Sequence, residues 1–152
     1  RYFAGEPLYP FGYGLSYTTF AYRDLALSTD DLPAGEGLEV RVTVENTGDR
    51  AGEEVVQLYL TDEEASVPVP VRELRGFRRI RLDAGASETV TFALTARHMA
   101  LINEAGEALV EPGGFAVYVG GRQPDARSQA LAGTEVLRAR FTVTGRATPV
   151  AY

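Results

Sequence analysis

Apolar and polar residues alternate along much of this chain with a period of two, the spacing expected of strands that bury one face. Leu38, Val40, Val42 and Val44 alternate with Glu39, Arg41, Thr43 and Glu45. Val90, Phe92 and Leu94 repeat the pattern, as do Phe115, Val117 and Val119, and Leu137, Ala139, Phe141 and Val143 alternate with Arg138, Arg140 and Thr142. Weaker strands fit around Phe20 to Ser28 and Glu54 to Thr61. A seventh spans Phe77 to Leu82, where Phe77, Ile80 and Leu82 share a face only if Arg78 and Arg79 form a bulge. Between the runs lie turn sequences: Leu32-Pro33-Ala34-Gly35, Asn46-Thr47-Gly48-Asp49, Asp83-Ala84-Gly85, Glu104-Ala105-Gly106 and Glu111-Pro112-Gly113-Gly114. No window carries a helical period. About seven strands joined by such turns predict an all-β, two-sheet sandwich; one-faced alternation suits two packed sheets better than a barrel.

The first nineteen residues follow neither period. Tyr2, Phe3, Tyr9, Phe11, Tyr13, Tyr17 and Phe20 place seven of the fifteen aromatic residues within the first twenty positions, with Pro7, Pro10, Gly12 and Gly14 among them. So much aromatic surface calls for a cover, either the sandwich itself or a neighbouring domain. A sugar platform is the competing use of such rings, but the chain has no Trp, the ring such platforms favour. The expected organisation is an aromatic linker arm over 1–19, a sandwich over 20–145 and a C-terminal tail over 146–152. The opening Arg1-Tyr2-Phe3 reads as the middle of a longer polypeptide.

At 152 residues the chain is long enough to bury a substantial core. The net charge of −6 argues against a phosphate-backbone partner, and no apolar run is long enough to cross a bilayer as a helix. All fifteen basic residues are Arg, as GC-rich coding produces. Having no Cys removes disulfides and thiolate chemistry. With one histidine, His98, a zinc-type site is excluded, and no cofactor is expected. His98 is expected on a short turn between two strands. Gly12-Tyr13-Gly14-Leu15-Ser16 has the wrong spacing for a nucleophile elbow. The acidic residues sit in turns or on outward strand positions; Glu45 and Glu73 are the two placed for burial, with nothing in the sequence to join them. Arg72, Arg75, Arg78, Arg79 and Arg81 form one basic cluster, read as an outward strand face balanced by neighbouring acids, or as a grip for an anionic surface. No catalytic residue is expected in this chain.

The stretch Pro7-Leu8-Tyr9-Pro10-Phe11-Gly12-Tyr13-Gly14-Leu15-Ser16-Tyr17-Thr18-Thr19-Phe20 resembles the junction segment of glycoside hydrolase family three. There it leads from the second catalytic domain into a C-terminal fibronectin type III-like domain. Val42 to Gly52, Glu54 to Leu60, Val71 to Phe77, Glu111 to Phe115 and Val119-Gly120 are similar to that domain's pattern. The resemblance runs over roughly residues 7 to 121, and Arg1-Tyr2-Phe3 is similar to members acting on β-xylosides and β-glucosides. It implies a non-catalytic accessory domain of a retaining exo-β-glycosidase. The family's nucleophile Asp and acid/base Glu lie on catalytic domains outside this chain. It further implies that those domains are the partner, and that Tyr9, Pro10, Phe11, Gly12, Tyr13, Gly14 and Tyr17 anchor the junction. A periplasmic or secreted setting follows from the resemblance. An independent module binding oligosaccharide or protein is the alternative.

Overall fold

The computed structural model describes residues 17–124 and 135–151. Strands β1 (Phe20–Leu27), β3 (Leu38–Asn46) and β6 (Ser87–Leu94) form an antiparallel sheet in the order β1-β3-β6. A second sheet runs β2-β10-β9-β4-β5, from β2 (Asp31–Pro33), β4 (Gly52–Asp62), β5 (Glu73–Leu82), β9 (Gly113–Gly120) and β10 (Leu137–Thr144). A short helix, α1 (Ala96–Met99), follows β6. A small third sheet pairs β11 (Thr148–Pro149), β8 (Ala108–Val110) and β7 (Leu101–Ile102). The architecture is a two-sheet β-sandwich whose main strands are the seven read from the alternation.

Strand parity builds the core. Val40, Val42 and Val44 point inward from β3 and are fully buried, with Val90 and Leu94 of β6 beside them. Across the gap stand Val56, Leu58 and Leu60 of β4, Phe115, Val117 and Val119 of β9, and Phe141 and Val143 of β10. Registers Leu58↔Val119, Leu60↔Val117 and Phe141↔Phe115 keep these residues on one face. The outward residues of β3 are Glu39, Arg41, Thr43 and Glu45, so that sheet turns a polar surface to solvent. One cluster of apolar side chains joins both sheets and is completed by Met99 of α1 and Val110 of β8.

Three features depart from the sequence reading. The bulge on β5 falls at Arg75, where pairing steps from Leu58↔Gly76 to Tyr59↔Leu74; Arg78 and Arg79 remain in regular register opposite Val56 and Val55. Phe77 therefore points outward, 71% exposed, while Ile80 and Leu82 are buried. The position of the bulge depends on a close approach between the sheets, because a Cβ on Gly76 would lie 2.9 Å from the Phe92 ring. Leu32 and Pro33, read as turn, belong to β2, which pairs parallel with β10 and buries Leu32. Thr148 and Pro149, in the segment set apart as a tail, pair with β8. A second bulge, between Arg23 and Ala26 of β1, holds Asp24 at φ 56°, a conformation short polar residues tolerate.

Candidate functional site

Of the seven junction residues, Tyr17 alone is described; Tyr9, Pro10, Phe11, Gly12, Tyr13 and Gly14 lie outside the described residues. Tyr17 is 90% exposed, so its ring is not covered by the sandwich. The next residue is fixed firmly. Thr18 is buried and donates its hydroxyl to Oδ1 of Asn46 at 2.7 Å. Backbone bonding from Thr47 N–H to Thr19 O, 2.9 Å, completes the attachment. The chain thus enters the sandwich beside the β3–β4 turn, at the Gly52 end of β4.

Of the groups with catalytic potential, His98, Asp62 and Glu73 border one cleft, and Glu45 lies apart on the other sheet. His98 lies on α1, a single helical turn linking β6 and β7, and its Nδ1 accepts the backbone N–H of Thr95 at 3.0 Å, which leaves the proton on Nε2. Burial first, then the guanidinium charges of Arg75 and Arg97, holds its pKa below the ordinary imidazole value. It adjoins a small, partly open cleft with a cavity volume of about 20 Å³, lined among others by Leu60, Asp62, Glu73, Arg75 and Met99. Asp62 there is pushed above the usual carboxylate range, chiefly by burial and further by the charges of Glu111 and Glu64. Glu73 is ion-paired with Arg75, and Glu45, in the other sheet, pairs with Arg23 at 3.3 Å. The two glutamates are therefore not brought together, and each is occupied by an arginine. Among the described residues no group of three or more His, Cys, Asp or Glu is arranged to hold a metal.

A polar contact between the sheets escaped the alternation pattern. Tyr22 of β1 faces Glu54 of β4, and its buried hydroxyl closes no hydrogen bond of normal geometry. Burial, then the nearby Glu54 charge, drives the phenol pKa upward. Glu54 accepts the Val55 N–H at 2.8 Å, yet burial raises its own pKa above the normal carboxylate value, against the partial relief of Arg122. The folded state therefore favours protonated Glu54, and the penalty of ionising it grows as pH rises through the folded pKa. Glu54→Gln keeps the acceptor without the charge. It is expected to raise Tm at pH 7, with the gain vanishing below the unfolded carboxylate pKa of about 4.3. Melting curves at pH 4 and pH 7 check this; an equal shift at both would discard the buried charge as the cause.

The arginine cluster divides by position. Arg72 stacks over the Tyr118 ring at 5.1 Å, and Arg138 lies 5.7 Å from the same centroid. Glu63 receives Arg138 at 2.7 Å and also Arg140, so the β9–β10 half of the outer face is closed by charge pairs. On the β4–β5 half, Arg79 pairs with Glu53, whereas Arg81 makes no ion pair among the described residues; Arg78, opposite the buried Val56, leaves the other side of the sheet. Phe77, Val55 and Leu74 are exposed on that same half, with Val71 at its end. Sequence reasoning missed this patch because it turned Phe77 inward; the cue available was Gly76, which signals a close approach on the opposite face.

A model of the fibronectin type III-like domain matches residues 54–123. The chain is 41% identical over 142 residues to thermostable β-glucosidase B of Acetivibrio thermocellus, covering 91% of this chain and 19% of that protein. It is 43% identical over 122 residues to the periplasmic β-glucosidase of Salmonella typhimurium, covering 79% and 16%. Against a β-xylosidase of Formosa agariphila it is 42% identical over 120 residues, covering 79% and 17%. The structure of a Listeria innocua β-glucosidase in complex with glucose superposes with a TM-score of 0.82 at 39% identity, over 96% of this chain and 20% of that one. The chain thus spans about a fifth or less of the length of the relatives it matches.

Proposed function

The chain belongs to the fibronectin type III-like domains of glycoside hydrolase family three enzymes, and from that premise we propose that it is a non-catalytic accessory domain of an exo-β-glycosidase acting on β-glucosides or β-xylosides. Its role is to pack on the catalytic domains and stabilise them. The observation that carries this reading is coverage: nearly the whole chain aligns with less than a fifth of β-glucosidase B. A two-carboxylate glycosidase needs both acids free across one bond; here Glu45 lies on the other sheet, and of the two acids beside one cleft, Asp62 and Glu73, the latter is ion-paired with Arg75. The residues from Tyr9 to Tyr17 are assigned as the anchor between this domain and its neighbour, and Tyr17, open on this chain alone, is available for that contact. An oligosaccharide platform fits less well. Tyr118 is capped by two arginines, and the exposed rings Tyr17 and Phe77 do not form a row along one strand.

Deleting residues 20–145 from the complete enzyme tests the reading. Thermal inactivation is expected to accelerate by roughly tenfold, equivalent to about 1.4 kcal/mol of lost barrier, while KM for an aryl β-glucoside or β-xyloside stays within about twofold, as when substrate contacts are untouched. The separated chain is expected to show no turnover of either substrate. Unchanged inactivation after deletion, or turnover by the isolated chain abolished by a point change within it, would overturn the assignment.

A further inference from the structure

We propose that the outer face of β4 and β5, centred on Phe77, is the surface by which this domain docks onto the rest of its enzyme, against a partner surface that is apolar at its centre and acidic around it. This rests on the accessory-domain reading above and goes further by naming the face and the chemistry of what meets it.

Phe77 is 71% exposed and Val71 77%, with Val55 and Leu74 each at 39%. Phe77 stands opposite Gln57, Val55 opposite Arg79, and Leu74 opposite Tyr59. By strand parity all three side chains leave the same side of the sheet, and Phe77 and Val55 are diagonal neighbours across adjacent strands. A free domain gains nothing by turning a phenylalanine ring and three aliphatic side chains to water on one edge. Clustered apolar exposure of this kind, rimmed by charge, marks an interaction site.

The remaining surfaces offer less. The outer side of the β1-β3-β6 sheet is polar, with Arg23–Glu45 and Arg41–Glu39 pairs. The β9–β10 half of the larger sheet is sealed by Arg72, Tyr118, Arg138, Arg140 and Glu63. β5 is an edge strand, so a partner meets this patch without displacing a neighbour.

Two observations select the occupant. Charge is the first: the chain as a whole carries −6, yet Arg81, on the same side of β5 as Phe77, makes no ion pair among the described residues. The complement of this patch is an apolar recess with carboxylates at its margin, which a second copy of the same basic, apolar face does not supply. The second is where the chain enters. Thr18 packs so closely on Gly52 that a Cβ there would lie 2.4 Å from its Cγ2, and Gly52 pairs with Leu82. The described chain therefore enters the domain at Thr18, at the end of β4 and β5 that carries Glu53 and Arg81, with Val55 three residues along from Gly52. A domain joined ahead of this one is attached at this end of the face.

Hydroxyl-radical footprinting of the complete enzyme and of the separated chain tests the proposal. Phe77 and Val55 are expected to react roughly fivefold or more slowly in the complete enzyme, as for side chains in a dry interface core. Phe77→Asp and Arg81→Glu are each expected to speed thermal inactivation of the complete enzyme by roughly tenfold, an effect of one interface contact. The same changes are expected to leave the Tm of the separated chain unaltered, because neither residue is buried there. Ile102→Asp, at an exposed apolar site on the small third sheet, is the control and is expected to alter neither. Protection elsewhere on the domain with Phe77 still reactive overturns this face and leaves the accessory-domain reading standing. No protection anywhere overturns both. Concentration-dependent dimerisation of the separated chain, abolished by Phe77→Asp while Phe77 stays reactive in the complete enzyme, overturns the proposal in favour of a second copy.

Discussion

Asn46→Ala is expected to destabilise the folded chain by about 3–5 kcal/mol, a large part of the 5–15 kcal/mol that holds most domains folded. The side chain is fully buried and every polar valence is used. Its Oδ1 accepts from the Thr18 hydroxyl at 2.7 Å and the Gly48 N–H at 3.1 Å. Its Nδ2 donates to the carbonyls of Arg50 at 2.8 Å and Leu82 at 3.1 Å. One amide thus ties together the entry to β1, the β3–β4 turn and the end of β5. Alanine would leave four partners to find water or go without, each buried one costing about 1–3 kcal/mol. Asn46→Asp should be no milder, since a carboxylate cannot donate to the two carbonyls. Urea unfolding measures the effect, and a loss below about 1 kcal/mol would show that water replaces the amide freely. Gly48→Ala approaches the same network from the other side, because its Cβ would lie 2.0 Å from the Thr18 hydroxyl oxygen. The double variant should therefore lose less than the sum of the single losses.

Phe115→Ala should cost a similar amount, about 3–5 kcal/mol, through a different mechanism. The ring is 1% exposed and stacks on Phe141 with centroids 5.4 Å apart and planes 15° from parallel. It pairs β9 with β10 and also closes the floor of the cleft beside His98. Truncation removes the stacking partner and opens a void that Leu60, Met99 and Leu101 reach only by leaving their own contacts. Phe115→Leu retains most of the volume and should lose a clearly smaller amount. Guanidinium unfolding of the three proteins checks the ranking. Equal midpoints for wild type and Phe115→Ala would mean that the end of the sandwich collapses to fill the space.

If both residues behave as expected, they will have been legible to different degrees. Phe115 opens an alternating run, and its burial follows from parity alone. Asn46 stands at the head of a turn sequence, where an Asn is ordinarily explained by local backbone geometry; its four partners come from positions as distant as Thr18 and Leu82. Gly85 in the next turn shows the local case, its φ of 72° being a demand of the turn itself.

The alternation of side chains along single strands determined the seven main strands, the buried faces of all but β5 and the sandwich class, because side-chain direction in an extended chain is a local property. The junction-like stretch before Phe20 carried the family resemblance in the same way, residue by residue. Tertiary structure alone decided which strands share a sheet, that Leu32 joins β10 in parallel, and that Thr148 and Pro149 close a third small sheet. It also decided the fate of Phe77. Whether the extra residue of β5 falls at Arg75 or at Arg78-Arg79 depends on what the facing strand and the opposite sheet permit. The Phe92 ring set against Gly76 leaves the break at Arg75 and turns Phe77 outward. A bulge reverses every side chain beyond it, so one long-range contact converted an expected core residue into the centre of an exposed face.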